Sequence, residues 1–391
     1  MDFSRRRRVL FAVFSIMVLA FLISSCGPKA RTAVGEMDTP QHHVNVGMKF
    51  LDQGNYAGAV TEFDLAISLD PKFSRAYTGK GLATAYQGDM KAASELLSKG
   101  WKYAEADQDK VFYHVAKIRY FTLLKKEDSK WLKHARGEFE DALKLEPKSS
   151  AAHFYMGKAY KTAYQFETAR DMYRKVIDFN DKYTKEADEE WRLMDKIQRA
   201  MPGTENGKRI ALVESISRAD AAALFMEELK VDVLYKKRTP ASFKTDFVDP
   251  DKTVKTKTEV PKLPEDIVNH PLKSDIEGVL KLGIPGLEVS GGKYYPDDKI
   301  RKGEYALMVV DILMKVTGDN SLATRNFEDK TSKFKDMRTD QAFYSSSLLL
   351  VTKGIMEMKD PMRDEFAPLD TVTGADALLV IRKMKDEYKI Y

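Results

Sequence analysis

The pattern of apolar and polar positions divides the chain into three regions. An apolar run over residues 9–23 directly follows four arginines at residues 5–8. From about residue 40 to 201, apolar and small residues recur at helical spacing in paired segments separated by short turns. From about residue 208 onward, apolar helices follow three short openings that share one layout. We therefore predict an all-α chain, with an N-terminal leader followed by two helical regions.

The leader has the order of a secretory signal peptide, in which a basic segment precedes an apolar run. Fifteen helical residues at about 1.5 Å each span roughly 22 Å, less than the roughly 30 Å of a bilayer's hydrocarbon core. A permanent transmembrane helix is therefore the weaker interpretation. We predict that residues 1–25 are a cleaved signal peptide and that residues 26–39 form a tether.

The five residues that end at Cys26, LISSC, resemble the lipobox of bacterial lipoproteins. The resemblance implies that the Cys26 thiol receives a diacylglyceryl group and that cleavage before Cys26 frees an amino group for acylation. Two or more acyl chains anchor a protein stably. Gly27 stands where an inner-membrane retention signal would place Asp, which implies the outer membrane, facing the periplasm, if the host is Gram-negative. The alternative is a buried cysteine after an uncleaved helix, and the export route, general secretory or twin-arginine, stays open.

Small and aromatic residues recur with a period of 34 in the second region. Small residues let two helices approach, aromatic residues fill the space between them, and a proline ends the second helix. The first unit contains Gly47, Phe50, Gly54, Tyr56, Ala59, Phe63, Ala66 and Pro71, and the second repeats four of these positions with Gly81, Gly88, Ala93 and Leu97. The second helix of a third unit and most of a fourth follow, with extra residues inside the third.

Residues 54–71, GNYAGAVTEFDLAISLDP, resemble the tetratricopeptide repeat. The resemblance implies a helical-hairpin solenoid over residues 40–203. Four units exceed the roughly three that such a stack needs for stability, and a closing helix over residues 186–201 would end at Pro202.

In the tetratricopeptide family the inner helices form a concave groove that binds a protein or peptide. The Lys and Asn residues that clamp a terminal carboxylate in one branch of the family are absent, so the resemblance implies a partner held by side-chain packing. The alternative is that several groove-position residues pack only against neighbouring helices. The residues at groove positions are Val44, Met48, Leu51, Thr78, Leu82, Tyr86, Phe154 and Lys158.

The three openings of the last region are ISRAD at 216–220, IRKGE at 300–304 and VTGAD at 372–376. Each begins with an apolar residue and places an acid in the first helical turn, where it complements the helix dipole. The layout resembles the S-layer homology domain, which implies a mostly helical three-unit bundle over residues 204–391.

In the S-layer homology family, the arginine of this opening and its neighbours line grooves that hold anionic cell-wall polymers or peptidoglycan-linked groups. Carried over, the groove residues are Arg218 and Asp220 in the first unit and Lys302 and Glu304 in the second, with Gly374 at the third arginine position. A guanidinium binds carboxylate or phosphate in a bidentate manner that an ammonium does not. Arg218 is therefore expected to contribute more than Lys302. The alternative is a bundle that docks another protein.

Composition and charge exclude several classes of function. The chain has 64 basic and 59 acidic residues, and four of the basic ones belong to the leader, so the rest is nearly balanced and lacks the basic excess of a nucleic-acid binder. Mean hydropathy of -0.43 excludes a polytopic membrane protein. Cys26 is the only cysteine, which excludes an intramolecular disulfide.

No motif for catalysis, metal or cofactor binding emerges. The six histidines have no metal-binding spacing, and residues 203–209 lack the length and the Ser or Thr of a P-loop. We predict a non-catalytic, exported and lipid-anchored envelope scaffold that needs no cofactor. The solenoid would bind a protein or peptide, and the bundle a wall polymer or peptidoglycan. The alternative within the binding class is an accessory lipoprotein for envelope assembly or secretion whose C-terminal bundle docks protein rather than wall polymer. An enzyme is the alternative from another class.

Overall fold

The computed structural model describes residues 30–238, 263–323 and 331–389, so Cys26 and the predicted signal peptide lie outside the described residues. Within these ranges the regular structure is helical, and β pairing is limited to isolated bridges. The predicted all-α class is confirmed. None of the helices in these ranges has both the length and the apolar character needed to span a bilayer.

Contacts divide the chain into two compact units, Met1–Asp188 and Glu189–Tyr391. The division falls within one helix, α9 (Thr184–Ala200), whereas the boundary predicted from the repeats lies after residue 203. The first unit consists of helical hairpins. Its helices are α1 (Pro40–Asp52), α2 (Tyr56–Leu69), α3 (Ser74–Tyr86), α4 (Met90–Lys102), α5 (Asp107–Leu123), α6 (Trp131–Leu145), α7 (Ser150–Thr162) and α8 (Phe166–Phe179).

The turns inside the first two hairpins explain two of the repeating glycines. Gly54 and Gly88 have φ angles of 77° and 96°, a region that residues with a Cβ rarely adopt. Asn55 and Asp89 follow as N-caps, and their side chains accept hydrogen bonds from backbone N–H groups three residues later. Each glycine thus reverses the chain, and the next residue starts the second helix.

Large side chains of the second helices pack on small residues of the first helices. Phe63 of α2 is fully buried, and a Cβ added at Gly47 of α1 would lie 2.7 Å from its ring. In the fourth hairpin, Tyr173 of α8 meets Gly157 of α7 in the same way, also at 2.7 Å. The recurring glycines of the first helices therefore lie where the two helices of a hairpin approach too closely for a larger side chain.

The end of the predicted tether packs against the first hairpin. Arg31 binds both carboxylate oxygens of Asp38 at 2.6 and 2.8 Å, and its backbone N–H donates to the Ser68 carbonyl at 2.7 Å. His43 of α1 bridges Asp38 and Glu62, with ring nitrogens 2.9 and 2.7 Å from their carboxylates. Burial disfavours the charged imidazole, but the hydrogen bonds to these two carboxylates outweigh it and raise the pKa of His43.

The second unit, called here the C-terminal bundle (Glu189–Tyr391), contains shorter helices. Asn320–Ala323 and Glu265–Ile267 are 3₁₀ turns, and Leu224–Glu228 forms a π turn directly after α11. The helices after α9 are α10 (Glu205–Ala211), α11 (Arg218–Ala223), α12 (Val231–Arg238), α13 (Lys273–Leu282), α14 (Lys302–Thr317), α15 (Tyr344–Thr352) and α16 (Gly374–Tyr388).

The three openings meet in a closed ring of backbone hydrogen bonds, here called the backbone ring (Ile216, Ile300 and Val372). Ile216 N–H donates to the Val372 carbonyl at 2.9 Å, Val372 N–H to Ile300 at 3.1 Å, and Ile300 N–H to Ile216 at 3.1 Å. All three side chains are at most 4% exposed. The common layout of the openings thus corresponds to equivalent positions around one pseudo-three-fold centre.

Candidate functional site

A groove of about 900 Å³ runs along the first helices of the hairpins, and we call it the solenoid groove. The side chains that line it come from α1, α3, α5 and α7, the turns beside them, and residues 181–183 before α9. Apolar, amide and charged side chains are interspersed along it. A mixed lining of this kind suits an extended polypeptide, which presents both backbone amides and alternating side chains.

Three of the predicted groove residues line this groove: Val44, Met48 and Leu82. Val44 and Leu82 are 2% and 1% exposed, so they form its floor as part of the core. Met48 is only partly buried. Of the three, Met48 is therefore the side chain most available to a partner.

The other five predicted residues lie in packing contacts. Leu51 and Thr78 are buried, and the Thr78 hydroxyl lies against Gly100. The remaining three make ring contacts: Tyr86 stacks on Tyr56 at 5.1 Å, Phe154 stacks on Tyr183 at 4.9 Å, and the Lys158 ammonium lies 4.7 Å from the Phe154 ring centre.

Four residues, Asp52, Tyr86, Arg119 and Tyr155, form what we call the Arg119 cluster. The Arg119 side chain lines the groove and is only 5% exposed. Its guanidinium carbon lies 4.3 Å from the Tyr155 ring centre and 5.4 Å from that of Tyr86. Nε donates to the Tyr86 hydroxyl at 3.3 Å and Nη2 to Asp52 at 3.3 Å, while Nη1 is buried without a hydrogen-bond partner among the described residues.

Burial raises the pKa of Tyr155, so its hydroxyl stays protonated and donates to Asp52 at 3.4 Å. Sequence reasoning missed this cluster because extra residues in the third repeat hid the register of α5. An arginine among the apolar residues of VFYHVAKIRYF was the available signal.

In the bundle, the guanidinium of Arg218 binds backbone carbonyls. Nε donates to Tyr294 at 2.9 Å and Nη2 to Glu288 at 2.7 Å, Nη1 donates to Gly286, and the guanidinium lies 4.8 Å from the Tyr294 ring centre. All three nitrogens of the fork thus have partners within the C-terminal bundle. The predicted neighbour Asp220 completes a capping box with Ser217.

Lys302 occupies the equivalent position in the second of the three openings of the bundle. Its ammonium donates to the carbonyls of Glu357 and Phe366 at 2.7 and 2.9 Å and lies 4.4 Å from the Phe366 ring centre. Burial lowers the pKa of Lys302. Glu304 accepts from the Arg301 N–H at 2.9 Å as a helix cap.

In the third opening of the bundle, Gly374 stands at the position that Arg218 and Lys302 occupy in the first two. A Cβ there would collide with the Ile210 carbonyl oxygen. The close approach of backbone therefore replaces the cationic side chain in that opening.

A cavity of about 410 Å³, here called the bundle pocket, lies beside Lys302. Four lysines and three carboxylates line it. The ion pairs are Lys196 with Asp376 at 2.6 Å, Lys359 with Asp370 at 2.6 Å, and Lys383 with Glu357 at 2.9 Å. Sequence reasoning found only Lys302, because the fold assembles the other lysines from distant segments. No group of His, Asp or Glu within the described ranges is arranged to hold a metal ion.

The first unit is a helical-hairpin repeat solenoid, with its groove built by the first helix of each pair. A segment of 137 residues, 35% of this chain, is 27% identical to human Tetratricopeptide repeat protein 6 and covers 25% of that protein. The chain thus spans about a quarter of the length of this curated relative. This similarity supports the tetratricopeptide part of the sequence interpretation.

Among solved structures, the chain is similar to a thermophilic TPR protein of Thermus thermophilus. The identity is 17%, the TM-score is 0.32, and the likeness covers 51% of this chain and 89% of that one. No protein-family model matches the chain. The lipoprotein and S-layer homology resemblances stay predictions.

Proposed function

We propose that the protein is a non-catalytic scaffold of the bacterial cell envelope whose solenoid groove binds a segment of a protein partner. The observation that carries the proposal is the continuous groove of about 900 Å³ along four successive first helices. Its apolar floor and polar rim match what an extended segment offers, and side chains rather than a terminal carboxylate would provide most contacts.

The test is a charge placed inside the groove. Met48→Arg should abolish capture of the native partner by crosslinking from membranes, since Met48 is a partly buried lining residue. Ser94→Arg, at an exposed position of α4, is the matched control and should leave capture unchanged. Equal capture by both variants would assign partner binding to another surface.

We further propose that lipid on Cys26 anchors the protein in the envelope, in the outer membrane if the host is Gram-negative. Support comes from the leader and the LISSC segment. Cys26→Ser should leave an unprocessed precursor that takes up no labelled palmitate. Equal labelling of the mutant would remove the lipid anchor from the proposal.

The C-terminal bundle is proposed to bind anionic groups of a wall polymer or peptidoglycan at the bundle pocket. Four lysines around one cavity support this location. Arg218 and Lys302 both bind backbone carbonyls, but only Lys302 lies beside a cavity that further lysines line, so the groove around Lys302 is the one proposed to bind the polymer.

The full chain should therefore co-sediment with isolated wall material at low salt, and added salt should weaken binding by screening. Lys359→Gln with Lys383→Gln should reduce sedimentation, whereas Lys335→Gln, on an exposed lysine that does not line the pocket, should not. A folded protein that fails to sediment would favour the docking alternative. That alternative is supported by exposed apolar side chains on the bundle, since Met362 and Leu369 are 94% and 65% exposed.

A further inference from the structure

Arg119 has an incomplete set of hydrogen bonds at the floor of the solenoid groove. Nη1 is buried without a partner among the described residues, although the side chain is only 5% exposed. A buried donor without a partner is costly, and more so when the group is charged. Such a donor at the floor of a binding groove indicates that a bound ligand supplies the missing acceptor.

Asp52 is a weak partner for this arginine. Its carboxylate accepts from Nη2 at 3.3 Å and from the Tyr155 hydroxyl at 3.4 Å, both long for hydrogen bonds to a carboxylate. The Asp52 side chain is 45% exposed, so it can turn towards solvent at little cost. Asp52 therefore offers Arg119 one contact where a guanidinium fork can make two parallel ones.

We propose that the solenoid groove recognises an acidic side chain, Asp or Glu, within the partner segment and that its carboxylate displaces Asp52 to bind Nη1 and Nη2 of Arg119 together. Asp52 is then an internal competitor that occupies the site when no partner is bound. This inference rests on the proposed function of the groove and names the chemistry that the groove selects.

The surroundings of Arg119 fit this assignment. Tyr86 and Tyr155 lie close to the guanidinium, and burial keeps the arginine poorly solvated, which strengthens its attraction for an incoming carboxylate. Lys49, Arg75 and Lys182 also line the groove, so with Arg119 four cations face three carboxylates, Asp52 included. Met48 and Phe112 line the same groove and supply contacts for apolar residues beside the acid.

The first experiment selects ligands without assuming their sequence. Phage-displayed random peptides, fused at their C-termini so that no terminal carboxylate is free, are selected on the full chain in detergent and in parallel on Met48→Arg. Peptides that bind the wild type and not Met48→Arg should share an Asp or Glu beside apolar residues. Groove-dependent peptides without an acid would overturn this inference and leave the proposed function standing. Absence of groove-dependent peptides would count against the proposed function itself.

The second experiment measures how one selected peptide and its Glu-to-Gln or Asp-to-Asn counterpart bind variants of the cluster. Arg119→Gln should weaken the acidic peptide roughly tenfold to a hundredfold and remove its advantage over the amide peptide. Asp52→Asn should strengthen the acidic peptide several-fold because it removes the competing charge.

Thermal unfolding by circular dichroism establishes that each variant is folded. If Arg119→Gln fails to fold, the Asp52→Asn arm still decides, since Asp52 is exposed. Weaker binding of the acidic peptide to Asp52→Asn would overturn the proposal that the ligand's carboxylate displaces Asp52 from Arg119. It would indicate instead that Asp52 binds a cationic group of the ligand.

Discussion

The contact between Phe63 and Gly47 supports a sharp prediction about the repeats. A Cβ at Gly47 would lie 2.7 Å from Cε1 and 2.9 Å from Cζ of the Phe63 ring. Gly47→Ala should therefore destabilise the first unit. Leucine has no atoms at those two positions, so in a Phe63→Leu background the same Gly47→Ala change should stabilise it.

The magnitudes follow from two opposing effects. Alanine in a helix interior is favoured over glycine by about 1 kcal/mol, whereas overpacking a core costs about 1–3 kcal/mol. In a double-mutant cycle, Gly47→Ala and Phe63→Leu should therefore show a coupling of about 1–3 kcal/mol in the free energy of unfolding. Gly137 of α6 provides the matched control, because among the described residues no heavy atom would contact its added Cβ within 4 Å. Gly137→Ala should show the helix gain alone.

The assay is thermal unfolding of the full chain followed by circular dichroism. For a unit of roughly 150–250 residues, about 1 kcal/mol shifts the melting temperature by roughly 2–4 °C. The transition to follow is the one that Gly137→Ala raises, which identifies the first unit. If Gly47→Ala raises that transition as much as Gly137→Ala does in the wild type, the reasoning about close helix approach is refuted.

Three further predictions concern single residues. Because the pKa of His43 is raised, its hydrogen bonds to Glu62 and Asp38 should stabilise the first hairpin fully below about pH 6.5. This stabilisation should be lost as the pH rises through the raised pKa. In urea unfolding, His43→Gln should make the free energy of unfolding of the first unit depend less on pH. Gly374→Ala should reduce the free energy of unfolding of the bundle by about 1–3 kcal/mol through overpacking, and so lower its melting temperature. An unchanged melting temperature would contradict the close contact with the Ile210 carbonyl. Burial alone would raise the pKa of Asp266, but backbone N–H donors including Tyr294 lower it; the bundle should lose this stabilisation only as pH falls below about 4, and Asp266→Ala should weaken the bundle at neutral pH.

The sequence predicted features that repeat locally. The glycine turns, the burial of Phe63 and the ends of α2 and α6 two residues before Pro71 and Pro147 all depend on residues close to each other in the chain. The shared layout of the three bundle openings likewise predicted equivalent positions, and the backbone ring joins them.

The charged sites could not be predicted in the same way. The bundle pocket brings Lys196 beside Lys359 and Lys383 through long-range folding, and no local pattern indicates that meeting. The hydrogen bonds of Arg218 could not be predicted for a different reason: its partners are backbone carbonyls, which have no sequence signature. Arg119 lay in the one repeat whose register was interrupted.

The backbone ring has a consequence for the order of folding. It joins the first opening of the bundle to the last, although Val372 follows Ile216 by about 150 residues. Closing so long a loop is entropically expensive, and chains dominated by distant contacts fold slowly. Helical hairpins, by contrast, need only their immediate neighbours and can form as soon as each pair is available. We expect the first unit to refold ahead of the bundle, and a chain that stops before Val372 to leave the bundle unclosed while its hairpins still assemble.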